Sequence, residues 1–317
     1  MLIIFLQCRD LKKYYRVNRG RKAEVLKALD GAALSLSGNE SVGIVGESGC
    51  GKSTLLRLLL RLEEPTAGEV VFRGQSLNSC PGKKLLFYRR EVQSVFQDAA
   101  ASINPRMTAG QAIAEPLLNI ADKLNGAALK ARVKEAMAQV GLNPGSSNRY
   151  PHEFSGGQQR RIALARAIIA RPRLIICDEA TSGLDVSVQA QLLNLLQDIR
   201  RDNGVQYLFV THDLAAVRYL CSRLVVMYGG QVVEELPAAL LSQALHPYTR
   251  ALAFSEPDLL NVKNPVVLEG EPPDPAAFPT GCRFYPRCPE SLERCSIEAP
   301  LLKKVQTGRL VACWRHI

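Results

Sequence analysis

Apolar residues in this chain gather in short unbroken runs that alternate with longer stretches of helical spacing, a rhythm that predicts an α/β fold. Residues 41–45 form one such run, and the apolar positions of 54–62 follow with helix period. Between the two lies a glycine-rich turn. A loop at Pro65-Thr66-Ala67-Gly68 leads to a β-like run over 69–72 and a turn at Arg73-Gly74. Residues 98–171 change character, because Ala/Leu/Lys/Gln-rich stretches such as 127–140 have helix composition and period. They predict a helical subdomain inserted into an α/β core. The alternation resumes at Leu174-Ile175-Ile176-Cys177, followed by an amphipathic helix over 186–201 and further strands over 207–210 and 223–228. A Gly229-Gly230 turn into 231–235 completes a hairpin. Alternation of this kind implies a mostly parallel sheet with crossover helices.

The opening Met1-Leu2-Ile3-Ile4-Phe5-Leu6 is too short for a signal-peptide core and has no basic residue before it. It reads as a buried edge strand. No apolar run approaches the roughly 20 residues needed to span a bilayer, so the protein is expected in the cytoplasm. A length of 317 residues, 47% hydrophobic and 22% charged, suits two domains or one α/β domain with an appendage.

The formal charge of +10 raises a nucleic-acid reading, and the basic stretch 9–27 sharpens it. That stretch shows no period and holds Tyr14-Tyr15. A solvated basic face, turned toward anionic lipid or a membrane partner, accounts for it better, and no nucleic-acid partner is expected.

Residues Gly46-Glu47-Ser48-Gly49-Cys50-Gly51-Lys52-Ser53-Thr54 match G-x-x-x-x-G-K-[ST], with a strand-like run before and a helix-like run after. Glycines let the backbone curl so that N–H groups point at phosphates, and the helix beginning near Gly51 adds its positive end. Lys52 supplies a point charge to the β- and γ-phosphates, and the Ser53 hydroxyl is placed to ligate Mg²⁺. The segment predicts a bound nucleoside triphosphate.

Four further segments complete a hydrolytic site. Asp178, ending an apolar strand, suits the acid that holds Mg²⁺ through water. Glu179 is the candidate that polarises the attacking water, since neighbours on an extended strand face opposite sides. His212, just past a second strand, can reach the γ-phosphate or the water. Gln97 can offer its amide to Mg²⁺ and water. Finally, Phe154-Ser155-Gly156-Gly157-Gln158-Gln159-Arg160 opens a helix and forms a second anion site. One nucleotide cannot easily use two such sites in one chain, but two chains packed head to tail could each close over the other's nucleotide.

These motifs resemble the nucleotide-binding subunit of an ATP-binding cassette (ABC) transporter. The likeness covers residues 7–254 and includes the phosphate loop, a Q-loop at Gln97, the signature Ser155-Gly156-Gly157-Gln158 and a Walker B segment ending Asp178-Glu179. It extends to a D-loop Ser182-Gly183-Leu184-Asp185, the switch histidine His212, and Tyr15 as the aromatic that stacks on adenine. Phe154 stands where leucine is usual and Ala180 where proline commonly follows the glutamate. The resemblance implies a P-loop NTPase (RecA-like) core of ABC type, an antiparallel β subdomain, the inserted α-helical subdomain and an irregular Cys-containing C-terminal extension. The domain boundaries it suggests are 1–254 and 255–317. Chromosome-maintenance ATPases share the phosphate loop and signature, but long coiled coils separate those motifs there. Here the interval carries no sustained heptads.

Ser102-Ile103-Asn104-Pro105-Arg106, His246-Pro247-Tyr248-Thr249-Arg250-Ala251-Leu252 and Gly281-Cys282-Arg283-Phe284-Tyr285-Pro286-Arg287-Cys288 resemble the oligopeptide/dipeptide/nickel branch of importer ATPases. That likeness implies a peripheral ATPase on the cytoplasmic face of the inner membrane, paired with a second, different ATPase subunit. Two permease subunits and an extracytoplasmic solute-binding protein are its expected partners. Nickel or metal-chelate importers share most of these motifs and stay open as an alternative to peptide import.

Nine cysteines are present, five of them scattered. Cys282, Cys288, Cys295 and Cys313 are spaced too loosely for paired C-x2-C zinc knuckles. Four thiolates could bind a [4Fe-4S] cluster, as some peptide-importer ATPases are understood to do, and staple a Pro-rich tail with little core. Zinc and unligated thiols are the other readings.

Overall fold

Two long strands open the chain, β1 (Ile4–Arg19) and β2 (Lys22–Ser37), antiparallel to one another. On β2, Ala32, Leu34 and Leu36 are buried while Ala33 is exposed, so one face packs inward at period two. The computed structural model describes residues 4–19, 22–38, 40–78, 80–120, 126–254 and 270–317. Its contacts divide the chain into two units, Met1–Asn78 with His212–Ile317, and Ser79–Thr211.

In the first unit the buried strand β3 (Val42–Val45) leads into helix α1 (Lys52–Leu59), then β4 (Ala67–Phe72) and β5 (Gln75–Ser76). One sheet has the order β2-β1-β4-β5. The expected edge strand is therefore an interior one: Leu6 pairs with Leu36 on one side and with Phe72 on the other. Met1–Ile3 lie outside the described residues. Part of the basic stretch is matched within the unit, with Arg9 paired to Glu69 at 3.2 Å and Lys13 to Glu63 at 3.3 Å.

The second unit begins with a helix that the apolar spacing does not reveal, α2 (Gly82–Glu91), and continues with β6 (Val92–Val95). Helices α3 (Ala99–Ser102), α4 (Ala109–Ile120), α5 (Gly126–Gln139) and α6 (Gly156–Ile168) occupy the expected helical stretch. Arg166 on α6 donates to Ser102 O at 2.9 Å and pairs with Glu115 at 2.8 Å, tying α6 to α3 and α4. Then come β7 (Leu174–Asp178), α7 (Val186–Asn203) and β8 (Gln206–Val210). Strand β7 runs parallel between β6 and β8, with Ile176 opposite Ser94 and Leu208. Residues 174–177 and 206–210 are buried throughout, as strands covered on both faces must be.

The first unit resumes at α8 (Leu214–Leu220), β9 (Arg223–Tyr228) and β10 (Gln231–Pro237), with α9 (Pro247–Phe254) after them. Strand β9 pairs parallel with β3 and antiparallel with β10. Arg223 anchors this edge by bonding Glu40 at 2.9 and 3.1 Å and Glu235 at 2.6 Å.

The described part of the tail is less irregular than its composition suggests. It holds α10 (Glu293–Ile297) and the strands β11 (Lys303–Gln306) and β12 (Arg309–Val311). β12 adds to the sheet through Glu234 opposite Val311. Phe284 is buried against Tyr228 and Tyr248, at 5.2 and 5.4 Å between ring centroids. Arg283 bonds Asp30 and the Gly229 carbonyl. Aromatic packing, ion pairs and strand pairing thus fasten the tail to its unit.

Candidate functional site

The phosphate loop joins β3 to α1, and its glycines sit where a side chain has no room. Gly46 has φ 154° and a Cβ there would lie 2.2 Å from Met227 O; Gly51 has φ 104° and a Cβ would lie 2.5 Å from Ala28 O. Both positions demand glycine on conformation and on space. Gly230 N–H donates to Cys50 O at 2.9 Å, and Glu47 N–H donates to the Tyr248 hydroxyl at 2.7 Å. The loop is thus pinned on its outer side.

Lys52, the first residue of α1, is 7% exposed, and its ammonium donates to Gly46 O at 2.6 Å and Glu47 O at 2.9 Å. A buried cation satisfied by two loop carbonyls is placed to exchange them for phosphate oxygens. Ser48, Gly49 and Ser53 are exposed, while Cys50 is buried and its thiol pushed up chiefly by burial, against the lowering charge of Lys52.

Tyr15, on β1, donates its hydroxyl to Glu63 at 2.6 Å and carries the Lys13 ammonium 5.1 Å over its ring. Burial first, then the Glu63 hydrogen bond, raise its pKa, and the Thr54 hydroxyl opposes them. Thr54 places this tyrosine beside the start of α1. His212 is exposed, and Asp213 takes the capping role, accepting from Ala216 N–H at 2.9 Å to start α8.

The remaining expected residues belong to the second unit. Gln97 is exposed just after β6. Ser155 caps α6 in a reciprocal box: its hydroxyl accepts from Gln158 N–H at 3.3 Å, and Gln158 Oε1 accepts from Ser155 N–H at 3.0 Å. Ser155, Gly156 and Gln158 are exposed, and a Cβ at Gly156 or Gly157 would meet open space. Asp185 is the N-cap residue of α7, with no side-chain capping bond.

Asp178 ends β7 half-buried. The strict alternation expected for the next residue does not hold, because Glu179 has φ 46°. A left-handed glutamate is uncommon and costs energy, and here the turn over-determines it. Its N–H donates to Val210 O at 2.8 Å, and its carbonyl accepts from Ser182 N–H at 3.0 Å and the Ser182 hydroxyl at 2.9 Å. Arg160 on α6 donates to Ser182 O at 2.8 Å. The signature helix thereby reaches the D-loop, a link that spacing alone does not reveal.

The expected cluster at the four tail cysteines is not supported by the structure. Cys282, Cys288, Cys295 and Cys313 are all half-buried, and no group of three or more His, Cys, Asp or Glu side chains among the described residues is arranged to hold a metal. Burial pushes the Cys282 thiol up to about 11 and raises Cys288 and Cys313. The contacts of Arg283 and Phe284 fasten the tail to its unit.

A strand, a glycine loop closed on a buried lysine and a helix define a phosphate-loop nucleotide-binding protein. Family models place residues 29–182 in "ABC transporter" and residues 233–295 in "Oligopeptide/dipeptide transporter, C-terminal region". The probable peptide ABC transporter ATP-binding protein of Sinorhizobium fredii is 44% identical over 97% of this chain and 89% of its own length. The oligopeptide transport ATP-binding protein OppF of Escherichia coli is 44% identical over 95% of this chain and 93% of its own. The ATP-binding cassette MJ0796, solved as a dimer bound to ADP and Pi, superposes with a TM-score of 0.66 at 29% identity, covering 74% of this chain and 99% of its own. The chain belongs to the ATP-binding subunits of ABC transporters, and it is an ATPase with ATP and Mg²⁺ as ligands. No helix among the described residues is long and apolar enough to cross a membrane.

Proposed function

We propose that this chain hydrolyses ATP to drive an importer of di- and oligopeptides, as a peripheral subunit on the cytoplasmic face of the cell membrane. The observation that carries the peptide assignment is the match of residues 233–295 to the oligopeptide/dipeptide C-terminal region. Relatives named for oligopeptide and di/tripeptide transport support it. Residues 1–254 act as the ATPase module and 255–317 as its extension. Two permease subunits, a sister ATPase and an extracytoplasmic binding protein complete the assembly.

Backbone N–H groups of the loop, other than that of Glu47, which Tyr248 holds, receive the phosphates, Lys52 moves from its carbonyls to the β- and γ-oxygens, and Tyr15 stacks on adenine. The hydroxyl of Ser53, the amide of Gln97 and the carboxylate of Asp178 are hard oxygen donors that fit Mg²⁺. When bound, that ion neutralises charge on the phosphates. Glu179 accepts a proton from the attacking water, and His212 steadies the γ-phosphate. Ser155 to Gln158, exposed and open, serve a nucleotide held by the sister subunit, with Asp185 near the same junction. MJ0796, solved as a dimer, is the solved likeness for such pairing.

The test is ATPase activity of the chain assembled with its permeases and binding protein in vesicles. Peptides raise turnover and nickel chelates do not; the reverse pattern overturns the peptide reading. In the same assembly Ser155→Arg retains MgATP binding but loses stimulated turnover by about 10². Unchanged turnover contradicts the shared site.

A further inference from the structure

Glu47 is an oddity on physical grounds, since the second residue of a loop that receives a triphosphate carries a negative charge. Such a charge opposes its ligand. In the structure both its carboxylate oxygens are occupied by one guanidinium from the C-terminal tail. Arg287 Nη1 lies 2.7 Å from Oε2 and Nη2 lies 3.0 Å from Oε1. The pair is partly shielded from water, the Arg287 side chain being 6% exposed and that of Glu47 25%. Planar two-pronged pairs of this kind are the strongest that a carboxylate makes.

Arg287 is itself held. Its Nη1 donates to the Tyr228 hydroxyl at 3.2 Å, and its cation lies 5.8 Å from the centre of that ring. The Glu47 hydrogen bond, first among the causes, pushes the Arg287 pKa further up. The tail runs along the loop nearby, where Pro272 to Pro275 and Phe278 line a cavity of about 490 Å³ with Glu47, Ser48 and Gly49. The Glu47 backbone is fixed separately by Tyr248 at 2.7 Å.

We propose that Arg287 is a positioning residue for nucleotide binding: by neutralising and fixing Glu47, the C-terminal tail makes the phosphate loop receptive to a triphosphate. The proposal rests on the reading of residues 46–53 as the triphosphate site. It makes the tail a working part of the ATPase.

The experiment is a double-mutant cycle read by calorimetric binding of MgATP to the full chain, with circular dichroism checking the fold of each variant. Arg287→Gln leaves Glu47 uncompensated and weakens MgATP binding about tenfold or more. That defect shrinks as salt rises from about 0.05 M to about 0.5 M, because it is a charge repulsion. In the Glu47→Gln background, Arg287→Gln has little further effect. The double variant therefore binds MgATP more tightly than Arg287→Gln alone, and if Arg287→Gln fails to fold, Arg287→Lys, which keeps the charge but loses the two-pronged bond, is read in its place and shows a smaller loss. Wild-type affinity in a folded Arg287→Gln or Arg287→Lys, a salt-independent loss in Arg287→Gln, or a double variant that binds no more tightly than Arg287→Gln overturns the proposal. Failure of the wild-type chain to bind MgATP sinks the phosphate-loop reading itself, a separate outcome.

Discussion

The phosphate loop and the signature segment are both glycine-rich helix starts, yet they are finished in opposite ways. Around the loop, Gly46 and Gly51 meet backbone atoms within 2.5 Å of a hypothetical Cβ, Lys52 is buried, and Glu47 is tied by Tyr248 and Arg287. Around the signature, Gly156 and Gly157 face open space, and among the described residues Ser155 is bonded by its own turn. One helix end is completed by its own unit. The other is closed by its own turn and opens onto free space.

The largest effect expected from breaking this contrast lies on the chemistry. Glu179→Gln keeps MgATP binding but slows hydrolysis by roughly 10²–10⁴ in steady-state assays of the assembled transporter; wild-type turnover removes Glu179 from the base role. Next comes the framework beneath the loop. Arg223→Ala strands Glu40 and Glu235 without their cation and costs about 3 kcal/mol in urea unfolding, read as a lower midpoint.

The smallest effect is a pH slope. His246, wholly buried, accepts from Tyr248 N–H at 3.1 Å, and burial, then Arg250 and His316, lower its pKa to about 3. A group whose folded pKa lies below its unfolded value binds more protons when unfolded. Its stabilisation is present above the unfolded pKa of about 6.5 and is lost as pH falls from there toward 3. His246→Asn, which can keep the acceptor, makes stability fall less steeply between about pH 6 and pH 4, by about 1 kcal/mol per pH unit or less.

The same contrast explains what the sequence disclosed. Apolar runs gave away β3, β7, β8 and β9 because each is buried on both faces, and the glycine motifs marked both helix starts. Polar segments were silent: β11 is Lys-Lys-Val-Gln, and α2 carries five basic or acidic residues among ten, so neither shows period. Glu179 escaped the strand rule because its φ is set by the turn that Ser182 closes. Tyr248 and Arg287 stood within recognisable motifs, but their roles depend on contacts across 201 and 240 residues of chain. Long-range pairings of this sort leave no spacing to read.

The central claim is that residues 46–53 cradle a triphosphate through Lys52, and calorimetry on the full chain reaches it most directly. Wild type binds one MgATP per chain, whereas Lys52→Ala, folded by circular dichroism, loses affinity by about 10². Equal binding by both proteins contradicts the account.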